Sequence, residues 1–213
     1  MSGAQIEGLR ARKKRVAREA IAATARRLFA ERGFEAVTVA EVAAAADVSE
    51  KTVFNHFPTK VDLAFAGREE GIEGLVAAIT QREPGTPVLD VFRALTTAVF
   101  DNFVAPGDED LLTVATIIRH SPTLQERLSV GWEAGAGAIT AAIAETSGAD
   151  ADDFVPGMVA RTLWWTHRSI FLMALNGLVD GEDREQLVAR LRVTADRAYD
   201  QLAAGLGDYG AGR

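Results

Sequence analysis

The sequence predicts an all-α protein, an N-terminal helix-turn-helix followed by a larger C-terminal helical body, with about nine helices in total. Three observations carry that expectation. Apolar residues recur at helical spacing along nearly the whole chain, and strand-like alternation is almost absent. Pairs such as Pro84-Gly85, Pro106-Gly107, Ser121-Pro122, Ser147-Gly148 and Asn176-Gly177 punctuate the chain as turn signals. Three helix-start signals also crowd into residues 37–63.

The first helix is expected over residues 13–32, with Ala17, Ile21, Ala25, Leu28 and Phe29 on one side and Gly33 as its stop. Residues 1–12 precede it as a basic, flexible arm. Thr38 and Glu41 have the spacing of a capping box, and Val37 and Val42 that of a hydrophobic staple. Ser49 with Val48 and Val53 repeats the cap and staple; Thr59 repeats them with Pro58, Leu63 and the box partner Asp62. The second helix therefore spans about 39–46. The third ends by Phe57, because Pro58 disfavours a helical residue before it. Two short helices separated by Asp47-Val48-Ser49 make a helix-turn-helix whose expected buried set is Val42, Ala45, Val48, Val53 and Phe57. Residues 13–59 form this domain, and 60–213 the body, with helices expected over 60–82, 86–104, 109–120, 122–145, 153–176 and 183–204. Short connections imply antiparallel neighbours. No internal repeat is visible.

Composition narrows the function. The 213 residues include no cysteine, which excludes disulfides, thiolate metal sites and a Cys nucleophile. No run of about 18 apolar residues occurs and the N-terminus lacks a signal-peptide core, so the expectation is a cytoplasmic protein without a membrane partner. The net charge of −7 is unevenly shared: residues 1–60 hold 11 Lys+Arg and 7 Asp+Glu, whereas the remainder is strongly acidic. All four lysines (Lys13, Lys14, Lys51, Lys60) lie in the first part, and six basic residues crowd between Arg10 and Arg18. A polyanion is the expected partner of that part. Screening over about 8 Å keeps a body built of helices about 30 Å long from opposing it. Enzyme motifs are missing. There is no phosphate-binding Gly-rich loop, Gly-x-Ser-x-Gly elbow or His-Glu-x-x-His, and only His56, His120 and His167 are histidines, so neither catalysis, a cofactor nor a metal is expected.

In a helix-turn-helix the second helix enters the DNA major groove with its N-terminal residues leading. With Val53 and Phe57 turned inward, Lys51, Thr52, Asn55 and His56 are left on or near the outer face. Lys51 can donate to guanine or phosphate, Asn55 can pair with an adenine edge, and Thr52 can meet phosphate or a thymine methyl. Lys60 is placed for the DNA backbone, and the helix starts capped by Thr38, Ser49 and Thr59 can receive phosphate oxygens. The stretch Thr38-Val39-Ala40-Glu41, Val48-Ser49, Thr52, His56-Phe57 and Lys60 resembles the DNA-binding signature of the TetR-type (tetracycline-repressor-like) transcriptional regulators. The match reaches back to Lys13; beyond residue 63 it is one of architecture. Two departures matter. Asp47 stands where the family usually has Gly, at a turn that needs a left-handed backbone, which Asp tolerates. Phe54 stands where it favours a Tyr whose hydroxyl touches phosphate, leaving the ring to press on sugar or a thymine methyl.

One helix-turn-helix reads few base pairs, so the resemblance implies a homodimer on a palindromic double-stranded DNA operator, joined through the last two long helices. The segment 153–176 is apolar on nearly every side. The resemblance also implies a pocket in the body for a small hydrophobic or amphipathic ligand that releases the operator. Phe103, His120, Trp132, Trp164, Trp165 and His167 are its candidate lining. Gly131, Gly135 and Gly137 signal a close approach, a kink or a break. The competing readings are a ligand-independent architectural DNA-binding protein and an activator.

Overall fold

A computed structural model describes residues 8–66, 71–104 and 109–206. Within them lie ten helices and no strand: α1 (Leu9–Arg32), α2 (Val39–Ala45), α3 (Glu50–His56), α4 (Lys60–Ala64), α5 (Gly71–Thr80), α6 (Val88–Val104), α7 (Glu109–Arg119), α8 (Pro122–Ser147), α9 (Val155–Val179) and α10 (Arg184–Leu206). No helix among the described residues is long and apolar enough to cross a membrane. The count exceeds the nine expected because the stretch 60–82 holds two helices. Phe65 leaves helical geometry and caps α4 by donating its N–H to the Val61 carbonyl.

The chain divides into two compact units, Met1–Glu69 with Thr116–Gln125, and Glu70–Ala115 with Glu126–Arg213. The sequence places a single boundary near residue 60; the observed division instead gives the last turn of α7 and the first of α8 to the N-terminal unit. Ile21, Ala25, Phe29, Phe34, Val37, Val42, Val53, Phe57 and Leu63 form that unit's core, joined by Ile117 and Leu124. Phe29 and Phe34 meet edge to face at 5.0 Å. Ala45 is exposed and Ala43 takes its place in the core. Ala43 continues the buried side of α2 beside Val42, whereas Ala45, although one turn on from Val42, is the last residue of this seven-residue helix and stands open where the chain turns away.

In the second unit α10 packs along α6 and α9. Its core includes Phe92, Phe100, Ile139, Ile143, Leu163, Leu191 and Tyr199. The sequence expects Gly177 to end a helix and leaves Gly135 open between a close approach, a kink and a break; both lie inside helices. A Cβ on Gly177 would come within 2.6 Å of Leu187 Cδ1, so α9 runs through this position and uses it to let α10 approach. Gly135 does the same in α8: a Cβ there would stand 2.7 Å from Ile72 Cδ1 and 3.1 Å from the Trp164 ring. Helix α8 is continuous through all three of its glycines.

A buried hydrogen-bond network ties α6, α9 and α10. The Thr96 hydroxyl donates to the Phe92 carbonyl (3.0 Å) and lies 2.9 Å from His167 Nδ1 and 2.8 Å from the Tyr199 hydroxyl. Thr96, His167 and Tyr199 thus share a buried set of donors and acceptors, with His167 bonded through Nδ1. Burial pushes the His167 pKa from its ordinary 6.5 down to about 4. The unfolded chain takes up this proton near 6.5 and the folded chain only near 4. The stability that the neutral ring contributes is therefore full above the first value and lost as pH falls toward the second, reaching about 3 kcal/mol. Thermal denaturation of the protein and of His167→Gln across that window is expected to show the gap between them narrowing as pH falls. A gap independent of pH would refute the buried neutral histidine.

Candidate nucleic-acid interface and body site

The helix-turn-helix is fixed by its caps and its turn. Thr38 and Glu41 form the capping box: the Thr38 N–H donates to Glu41 Oε2 at 2.7 Å, and the Glu41 N–H to the Thr38 hydroxyl at 3.2 Å. The Thr38 amide, with Arg32 Nη2 at 2.7 Å, pushes the Glu41 carboxyl down to about 2. Asp47 adopts φ 53°, the left-handed conformation that the turn between α2 and α3 demands. Ser49 accepts the Thr52 N–H at 3.1 Å and opens α3. Thr59 and Asp62 complete a second box at α4.

Helix α3 sorts its side chains by face. Val53 and Phe57 are buried, while Lys51, Phe54 and Asn55, at i, i+3 and i+4, share the open side. Phe54 is 48% exposed. Thr52 is half-buried, its hydroxyl 2.9 Å from that of Ser49, so it faces back along the helix start. His56 also departs from the outward expectation. It is half-buried, its Nδ1 is enclosed without a hydrogen-bond partner, and its pKa is lowered by burial and then by Lys14 and Arg18. A neutral ring turned toward α1 is the result.

Lys60 is folded back too. Its ammonium lies 4.3 Å over the Phe34 ring and donates to the Glu35 carbonyl at 3.4 Å. Burial lowers its pKa, against the opposing pull of Glu35 and Glu41. The Glu35 carboxylate accepts from the buried Ser121 hydroxyl at 2.6 Å, the largest cause of its own lowered pKa. Ser121 in turn accepts the Leu124 N–H and caps α8. Sequence reading registers Ser121-Pro122 only as a turn. It also misses Arg18, whose guanidinium donates to the His56 carbonyl and lies 4.3 Å over Phe57. The available signal is spacing, since Arg18 shares the helical face of Ile21, Ala22 and Ala25.

The body candidates separate into groups. Trp132, Trp164 and His167 gather with Phe171. The indoles lie 4.3 Å apart, His167 stacks on Trp164 at 5.6 Å, and Phe171 stacks on His167 at 6.5 Å. Trp164 Nε1 donates to the Trp132 carbonyl at 2.8 Å, whereas Trp132 Nε1 is buried with no partner. Trp165 stands apart, 46% exposed under the Arg168 guanidinium at 4.3 Å. His120 is exposed at the end of α7, in the N-terminal unit, with Nδ1 2.8 Å from the Thr116 carbonyl. Phe103 lies on α6, but its side chain falls outside the described residues. Among the described residues no group of His, Asp and Glu could hold a metal ion.

Comparison with known proteins decides the family. The profile "Bacterial regulatory proteins, tetR family" matches residues 21–66, and the profile "MftR C-terminal domain" matches residues 86–207. TcmR of Streptomyces glaucescens, an HTH-type transcriptional regulator, is 30% identical over 151 residues, 68% of this chain and 67% of the relative. The chain belongs to the TetR family. It is a DNA-binding transcriptional regulator and not an enzyme. TetR regulators bind DNA, dimerise and take small-molecule ligands. Solved structures share the fold. The triclosan complex of SmeT, the repressor of a Stenotrophomonas maltophilia multidrug efflux pump, matches with TM-score 0.61 at 21% identity, covering 89% of this chain and 90% of that one. NalD of Pseudomonas aeruginosa, the secondary repressor of the MexAB-OprM multidrug efflux pump, matches with TM-score 0.61 at 18% identity, covering 87% and 96%.

Within this TetR-family head Arg18 fastens the recognition helix without reaching the open face. Arg18→Met keeps apolar length but removes the donor to His56 and the charge over Phe57. It is expected to lower stability by about 1.5–3 kcal/mol, the range for a charged hydrogen bond. Urea denaturation measures this, and an unchanged midpoint would show the contact to be idle.

Proposed function

We propose that the protein is a homodimeric repressor that covers a palindromic operator in the cytoplasm and releases it when a small hydrophobic or amphipathic molecule enters the body. The observation that carries the DNA side is the open face of α3, where Lys51, Phe54 and Asn55 stand exposed opposite the buried Val53 and Phe57. Lys51 at the leading end reaches guanine or phosphate, Asn55 reads an adenine edge, and Phe54 supplies the ring for sugar or a thymine methyl. Thr38 and Ser49 present capped helix starts to phosphate. Thr52 and Lys60 reach DNA only by leaving the partners described above, and His56 only by turning out of its enclosed seat.

An uncovered stripe on α9 supports dimerisation. Val155, Met158, Thr162, Trp165, Ser169 and Met173 follow one another at steps of three and four along one face, and all but the half-buried Thr162 are exposed. Exposed apolar area of this kind fits a self-complementary two-fold interface. On the last helix, α10, Val193 is 61% exposed as well. The dimer sets two recognition helices about 34–36 Å, or a multiple, apart.

The ligand is read from the aromatic group. Trp132, Trp164, His167 and Phe171 offer π faces, the unpartnered Trp132 Nε1 offers a donor, and neutral His167, bonded to Thr96 through Nδ1, keeps Nε2 for a polar group of the ligand. An aromatic molecule carrying a hydroxyl or carbonyl group matches this set, and the solved triclosan complex of SmeT, of similar fold, supports a body that takes such a molecule.

Asn55→Ala is expected to relax base preference at one position of each half-site by roughly 1–3 kcal/mol, measured on a duplex selected by the protein from a random library. Equal affinity for all bases there in the unaltered protein would remove Asn55 from the readout. Trp165→Arg is expected to convert dimer to monomer in sedimentation at micromolar concentration; an unaltered monomer at that concentration would overturn the interface.

A further inference from the structure

The sequence expects a flexible arm before residue 13, but α1 begins at Leu9, about 12 Å of helix before Ala17, and its residues 11–16 are all exposed. Arg12, Lys13, Lys14 and Arg15 are all exposed on this projecting stretch. Among the described residues no side-chain hydrogen bond or ion pair engages Arg12, Lys13 or Lys14, while Arg15 pairs with Glu19 at 2.9 Å. The helix is electrostatically unfavourable by itself. Its first turn has no acidic residue, and its N-cap Gly8 offers no side-chain hydrogen bond. Its cations face the positive end of the helix dipole, and like charges recur at i, i+3 and i, i+4. A polyanion alongside reverses the sign of each of these terms.

The orientation of this stretch is fixed by Arg18. Its bond to the His56 carbonyl and its seat over Phe57 hold α1 against the C-terminal end of the recognition helix. Lys14, four residues earlier, lies one turn outward on the same face. The field of Lys14 at His56 agrees with that placement.

We propose that the projecting turns of α1 form a second, sequence-independent DNA grip, with Lys14 and its neighbour Lys13 on phosphates flanking each half-site beyond the reach of α3. A helix segment of about 12 Å spans three to four base-pair rises of 3.4 Å, so the grip lengthens the footprint at each end by about that much. This inference rests on the reading of α3 as the recognition helix, and the two fail differently.

The test uses the full chain, its Lys13→Gln/Lys14→Gln double variant, and a library-selected duplex prepared with long flanks and with flanks trimmed to the selected site. Each lysine that neutralises a phosphate contributes about 0.9 to the slope of log affinity against log salt, so the double variant of a dimer is expected to lose roughly 3.6 from that slope. Its base preference is expected to stay unchanged, its melting temperature to stay level or rise, and its hydroxyl-radical footprint to shorten at both ends. Trimming the flanks is expected to weaken the unaltered protein and leave the variant nearly unaffected. An unchanged slope with equal sensitivity to trimming would overturn the grip. So would a variant that alters only the dimer's sedimentation, which would place the lysines on the acidic surface of a second copy instead. Loss of base preference in Lys51→Ala or Asn55→Ala reports on α3 alone and leaves the slope test standing.

Discussion

The functional surface depends on one constraint, that the recognition helix is too short to exist without its supports. Helix α3 has seven residues, well below the roughly 12–15 at which an isolated helix becomes marginal in water. It persists because Val53 and Phe57 bury almost completely in the head core, each contributing about 1.5–3 kcal/mol of transfer free energy. Its ends are fastened separately, the first by the Ser49 cap and the last by Arg18 at the His56 carbonyl. Lys51, Phe54 and Asn55 hold their positions only through this scaffold. The three exposed side chains could be exchanged with little effect on folding, whereas the four supporting contacts could not.

That division explains what could be read from the sequence. Caps and turns are local, and the residues that make them stand within a few positions of one another. Thr38 with Glu41, Ser49 with Thr52 and Thr59 with Asp62 are therefore legible from spacing, and the left-handed Asp47 from the family resemblance. Contacts between distant segments leave no such trace. Gly177 looks like a helix stop until Leu187 of α10 is found against it. Lys60 looks like a free phosphate ligand until Phe34 and the Glu35 carbonyl are found beneath it. The body candidates show the same limit. Aromatic residues can be listed from the sequence, but only packing separates Trp164 in the interior from its neighbour Trp165 at the surface. The early start of α1 was hidden for the opposite reason. Nothing local favours a helix there, so its basic residues read as an arm.

Charge follows the same organisation. The head carries the positive excess while the rest of the chain is acidic, and the ionisable groups in the head are divided between support and display. Arg18, Arg32, Glu35, Glu41 and Lys60 are engaged in caps, carbonyls and rings. Lys13, Lys14 and Lys51 extend into solvent. Among the engaged groups, hydrogen bonds to the carboxylate lower the pKa of Glu35 and Glu41, and burial lowers that of Lys60. The displayed lysines stand open to a partner.

Helix α8 contributes close-packed contacts to each of the two units. Helix α8 opens in the N-terminal unit, where Ser121 is bonded to Glu35 and Leu124 is fully buried, and continues into the body. There Trp132 and Gly135 lie on it, Gly135 pressed so closely against Trp164 and Ile72 that a single added carbon would collide. A ligand that parts Trp132 from Trp164 has no slack to absorb at Gly135, because close-packed interiors rearrange between discrete states instead of yielding gradually. Within the N-terminal unit, Leu124 is buried and Ser121 is tied to Glu35, whose carbonyl holds Lys60. The last group in that chain is the lysine that must leave its seat over Phe34 to reach a phosphate.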